Sequence, residues 1–158
     1  MQANRDRTAP AVRASAFYRV AAVLLALFAA GHLFGFTQHD PNWHVELLLG
    51  AMRAIHFDIA GIRRTYWDLF VAAGTIVGLC YIFAAILAWE LAGLPPDLLA
   101  RLRLTRWAFA ALFAAVSVVS LVSLFRIPQM FSAAITICLA AGAWAGGRAP
   151  SANGKTQD

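Results

Sequence analysis

The chain has 158 residues, of which 61% are hydrophobic and 13% charged, whereas soluble domains carry about 25% charged residues. Because a soluble fold of this size could not bury so much apolar surface, a membrane protein is predicted, as one compact unit without a separate soluble domain. The net charge of +5 does not indicate nucleic-acid binding, because no basic stripe carries interleaved aromatic residues.

Four long apolar runs occupy residues 16–36, 67–89, 105–125 and 127–146. A hydrocarbon core about 30 Å thick needs about 20 mostly apolar residues of helix. The first run is interpreted as a span and not as a cleaved signal peptide, because apolar residues continue beyond Gly31. The sequence therefore predicts an all-α fold, an integral membrane four-helix bundle over residues 16–146.

The two ends of the chain, residues 1–15 and 147–158, are small and polar and are predicted to be disordered tails. Nine of the 13 Lys and Arg residues lie in these tails, at the adjoining span ends or in the second connection, and four lie in the first and third connections. Positive charge favours the cytoplasm. We therefore expect cytoplasmic termini and a periplasmic first connection.

Small residues at four-residue spacing are expected to bring the helices close together, since apolar side chains alone do not drive association in lipid. They are Ala22, Ala26 and Ala30 in the first span and Gly74 and Gly78 in the second. The same pattern would serve the seam of a homo-oligomer, so oligomerisation stays open.

The first connection, residues 37–66, is predicted to hold an amphipathic helix on the periplasmic end of the bundle. Asp40 and Pro41 form a typical helix start, and Gly61 a typical stop. An apolar stripe at every fourth position defines the helix, formed by Leu47, Ala51, Ile55 and Ile59.

A polar cluster is predicted beneath this helix. His32 lies about one turn inside the outer end of the first span, and Asp68 lies just inside the start of the second. Antiparallel helices bring the two to similar depth, and ionisable residues in a span usually face a partner in the interior. The predicted cluster comprises His32, Arg53, His56, Arg64, Asp68 and Arg126.

Several roles for this cluster stay open: a purely structural one, a site for a small apolar molecule, a membrane lipid or a protein partner, and proton transfer. Binding without catalysis is the leading hypothesis. The alternative is a membrane enzyme that acts on an apolar substrate with His32 as base and Asp68 orienting it. A transporter is a third, although the spans lack repeated charges. Neither a cofactor nor a metal is predicted, because the chain has no HExxH motif and no Cys-His grid.

Three short motifs suggest a family. Gly31-His32-Leu-Phe-Gly35-Phe36, then Met52-Arg53, then Arg64-Thr65-Tyr66-Trp67-Asp68 resemble a widespread family of small bacterial membrane proteins with four predicted spans and no established activity. The resemblance covers residues 16–146, with its motifs in residues 31–68. It implies a bacterial inner-membrane location but no reaction. A looser likeness to DoxX-like proteins, in span number and polar outer layer, carries over no site residue.

Overall fold

The structure, a computed structural model, describes residues 2–148, and side chains from residue 13 onward. Its elements are α1 (Gln2–Gly35), a 3₁₀ turn (Pro41–Trp43), α2 (Glu46–Ala54), β1 (His56–Ile59), β2 (Ile62–Thr65), α3 (Tyr66–Gly93), α4 (Pro96–Arg101), α5 (Arg103–Ser123) and α6 (Arg126–Gly146). Helix α1 begins at Gln2 and so extends through the predicted N-terminal tail. Of the second predicted tail, residues 149–158 lie outside the described residues.

Four helices are long and apolar enough to cross a membrane: Arg13–Gly35 within α1, Tyr66–Gly93, Arg103–Ser123 and Arg126–Gly146. These helices leave large apolar side chains exposed, among them Ile86, Val122 and Ile137. Lipid tails solvate such side chains as well as a protein core does. The predicted helical, multi-pass membrane architecture is therefore confirmed.

The chain divides into two compact units, and α1 and α3 each contribute a part to both. The first unit contains residues up to 26 and from 83 onward. Its core includes Leu25, Phe109, Ile135 and Leu139. Hydroxyl groups tie its helices together: Ser15 Oγ donates to the Ala92 carbonyl at 2.7 Å, and Ser117 and Thr136 share a hydrogen bond of 2.9 Å.

The second unit, residues 27–82, packs the end of α1 against the beginning of α3. Gly78 lies directly beneath the Leu33 side chain and Gly74 beneath the Phe36 ring, and a Cβ atom at either glycine would collide with that side chain. Both glycines therefore stand where the structure needs close approach. Of the predicted alanines on α1, Ala22 is buried in the first unit, whereas Ala26 and Ala30 are exposed.

The predicted amphipathic helix over residues 41–60 is wrong in its extent. Asp40 caps only a 3₁₀ turn, and the left-handed backbone of His44, with φ of 51°, ends that turn. Helix α2 then covers nine residues. Its Leu47 and Leu48 side chains are exposed, so the position of α2 at the membrane surface stays a prediction.

A β-hairpin replaces the second half of that predicted helix. β1 and β2 pair antiparallel, with Ile59 opposite Ile62. Ala60 and Gly61 have φ angles of 53° and 80°, the positive values of a two-residue type I′ turn. The Asp58 carboxylate accepts the Gly61 amide at 2.8 Å and closes the turn. β-Branched residues flanking this turn favour strands, and that preference overrides the four-residue apolar spacing.

Candidate functional site

The start of α3 is held by a reciprocal pair of hydrogen bonds between Thr65 and Asp68. The Thr65 amide donates to Asp68 Oδ2 at 2.8 Å, and the Asp68 amide donates to Thr65 Oγ1 at 3.1 Å. This Thr-x-x-Asp arrangement is a capping box, which satisfies amides that a helix N-terminus leaves unpaired. Asp68 is exposed, and one of its carboxylate oxygens is thus committed to the helix end.

His32 lies beside Gly74, further along α3 than Asp68, and its ring is part of an aromatic stack. Its Nε2 is 2.9 Å from the Gly74 carbonyl oxygen, and since a carbonyl only accepts, the Nε2–H donates. The imidazole stacks between Phe28 and Phe36, with ring centroids 6.2 and 5.3 Å away. Gly74 follows Asp68 by six positions, which is roughly 9 Å along a helix.

The predicted cluster therefore needs correction. Within the described residues, no hydrogen bond or ion pair joins His32, Asp68 and an arginine, because Asp68 serves the Thr65 cap and His32 serves Gly74. His32 and Asp68 lie at different depths because α3 begins beyond the end of α1, as the contact of Phe36 with Gly74 shows. This arrangement also removes the contact that a His32–Asp68 catalytic pair requires.

The other predicted members of the cluster do not share a common hydrogen-bond or ring partner among the residues that the structure describes. Arg53 lies over the Trp67 ring, 4.3 Å from its centroid. His56 Nδ1 is 2.8 Å from the Ala54 carbonyl, and Arg64 Nη1 donates to the Arg63 carbonyl at 2.9 Å. Arg126 is the first residue of α6, in the other unit. Of the six, Arg53, His56, Arg64 and Asp68 lie at or beside the start of α3, since His56 pairs with Thr65 across the hairpin.

A groove of about 320 Å³ runs along one face of this helix start, and we call it the α3 groove. Arg64, Trp67 and Asp68 line its upper part, and Val71 and Ala72 line its lower part. The spacing of three and four positions places Trp67, Asp68, Val71 and Ala72 on one face of α3, and Arg64 reaches the groove from the end of β2. The lining thus changes from charged and aromatic side chains to apolar side chains along the groove, which suits an amphiphilic ligand.

The first unit contains a buried arginine that was not among the predicted site residues. Arg106 is 1% exposed, and its guanidinium donates to the Ala143 carbonyl at 2.5 Å and to the Ala100 carbonyl at 3.4 Å. Gly146 makes room for it, since a Cβ there would lie 2.6 Å from Arg106 Nη1. Arg106 Nε and the Tyr18 hydroxyl are buried without a hydrogen-bond partner among the described residues. The available signal was its position inside the apolar run at residues 105–125.

No group of three His, Cys, Asp or Glu side chains that could hold a metal ion occurs among the described residues. Comparison of the chain with protein-family models, with curated proteins and with solved structures found no match.

Proposed function

We propose that this integral membrane protein binds a membrane lipid or a related amphiphile, without catalysis, in the α3 groove. The observation that carries this proposal is the order of the lining residues. Arg64 lies at the top of the groove, Trp67 and Asp68 follow together in the first turn of α3, and Val71 and Ala72 supply an apolar wall one turn further. Membrane lipids present the same order of chemistry, from charged headgroup to hydrocarbon.

The depth of these residues supports the proposal. Asp68 is two residues from the beginning of α3, and Ala72 is one turn further, or about 6 Å along the helix. Tryptophan is enriched at the boundary between headgroups and hydrocarbon. Trp67 at this boundary would leave Arg64 among the headgroups and Val71 in the hydrocarbon.

The neighbouring surface has the character of an interfacial segment. Leu47, Leu48 and Ile55 are exposed beside Arg53, whose guanidinium lies over Trp67. Apolar side chains that enter the headgroup boundary and arginines that reach back to phosphate are typical of such segments. From the distribution of positive charge, we propose that this end faces the periplasm of a bacterial inner membrane.

Photo-crosslinking with a phospholipid that carries a diazirine in its upper acyl chain tests the proposal. In wild-type protein we expect labelling of α3 near Val71 and Ala72. Ala72→Trp fills the groove and should strongly reduce that labelling. Ala73→Trp is the matched control, because Ala73 is also exposed and points to the opposite face of the helix. Equal labelling in the two variants would contradict groove binding.

A further inference from the structure

We propose that the amphiphile in the α3 groove is a phospholipid with a primary ammonium in its headgroup, the phosphatidylethanolamine class. This inference rests on the proposed function and adds the identity of the headgroup. It follows from the two opposite charges at the top of the groove, Arg64 and Asp68, which lie four positions apart. A zwitterionic headgroup carries one charge of each sign, a phosphate for Arg64 and an ammonium for Asp68.

Arg64 is the group for the phosphate. Its Nη1 donates to the neighbouring Arg63 carbonyl, and its remaining N–H groups make no hydrogen bond within the described residues. A guanidinium presents its N–H groups as a fork that matches two phosphate oxygens. Arg64 is exposed, so a headgroup reaches it without rearrangement of the protein.

Asp68 is the group for the ammonium. Its Oδ2 is used by the Thr65 amide, while its Oδ1 accepts no hydrogen bond from the described residues. That oxygen is held in place, because the capping box fixes the carboxylate. A primary ammonium offers three N–H donors to such an acceptor, whereas a quaternary ammonium offers none.

The surroundings disfavour the other common headgroups. A choline group is usually held by an aromatic cage. Among the described residues, Trp67 is the one aromatic side chain that lines the groove, and Arg53 already covers one face of its ring. An anionic headgroup would place its net negative charge against the Asp68 carboxylate. The pair of charges therefore favours a zwitterion with N–H donors.

The test is native mass spectrometry of delipidated full-length protein titrated with lipids of identical acyl chains. The headgroups are ethanolamine, its mono- and dimethyl derivatives, choline and glycerol. Wild-type protein should bind ethanolamine lipid several-fold more tightly than choline lipid, with affinity falling as methyl groups replace N–H donors. Glycerol lipid should bind more weakly than ethanolamine lipid.

Three variants assign the effect to residues. Asp68→Asn, which keeps an oxygen acceptor for the helix cap, should still bind phospholipid but lose the preference for ethanolamine over choline. Arg64→Gln should lower the affinity for all the phospholipids by a similar factor. Glu46→Gln removes an exposed carboxylate at the start of α2 and should change neither property.

The outcomes separate the two proposals. Equal affinity for ethanolamine and choline lipids, or an unchanged preference in Asp68→Asn, would overturn the headgroup assignment. The proposed binding in the groove would still stand if Ala72→Trp abolished lipid binding. Preferred binding of glycerol lipid would likewise overturn the assignment in favour of an anionic ligand. Lipid binding that Ala72→Trp leaves intact would overturn the proposed function itself.

Discussion

The contact between Gly78 and Leu33 gives a quantitative test of how α1 packs against α3 in the second unit. Gly78 is buried, and a Cβ atom there would collide with the Leu33 side chain. Gly78→Ala therefore adds a methyl group to filled space, which costs about 1–3 kcal/mol. The same change favours the helix by about 1 kcal/mol through backbone propensity.

A matched control removes the propensity contribution. Gly31 lies inside α1, and a Cβ there would meet nothing within 4 Å. Gly31→Ala thus gains the same helix propensity without the collision. The free energy of unfolding of Gly78→Ala should be lower than that of Gly31→Ala by about 1–3 kcal/mol, the cost of overpacking alone.

Unfolding by SDS in mixed micelles, followed by circular dichroism, measures this difference for a helical membrane protein. Both variants should retain the helical spectrum of the wild type before SDS is added. Equal unfolding curves, or a Gly78→Ala variant more stable than Gly31→Ala, would refute the close approach of α1 and α3 at this glycine.

Three further predictions concern single side chains. Thr65→Ala removes a hydroxyl that caps α3 and should lower the free energy of unfolding by about 1 kcal/mol; an unchanged SDS curve would contradict the capping box. His32 should be the Nε2–H tautomer, because Nε2 donates to Gly74; ¹⁵N NMR of the imidazole would disprove this by showing a proton on Nδ1. Arg106→Ala should lower the free energy of unfolding by about 1.5–3 kcal/mol, because it removes hydrogen bonds made by a charged group. Arg103→Ala, at an exposed position, should have little effect. Equal losses in the two variants would show that the buried hydrogen bonds of Arg106 do not stabilise the fold.

The spans could be predicted from the sequence because run length and apolarity alone decide whether a helix crosses lipid. The structure ends α1 at Gly35 and begins α3 at Tyr66, each within one residue of the predicted boundary. The close approach at Gly74 and Gly78 had a local signal too, since glycine has no side chain to separate two helices. Which residue fills each gap, Phe36 or Leu33, depends on the relative height of two helices and has no such signal.

The site was harder to predict for the same reason. His32 and Asp68 were expected to meet because both lie near span ends, but their partners are the Gly74 carbonyl and Thr65. The Thr-x-x-Asp pattern of a capping box was present in the sequence and would have assigned Asp68 correctly. The hairpin at residues 56–65 was obscured by Ile55 and Ile59, which fit a helical stripe as well as a strand.

The most direct measurement of lipid binding in the α3 groove is the dipolar coupling between lipid ³¹P and arginine guanidinium ¹⁵N in bilayers, by solid-state NMR. We predict ³¹P dephasing of the Arg64 guanidinium, so the dephased intensity should fall in Arg64→Gln and be retained in Arg63→Gln, which replaces the neighbouring exposed arginine. Dephasing that is the same in wild type and Arg64→Gln would contradict a lipid phosphate at the head of the groove.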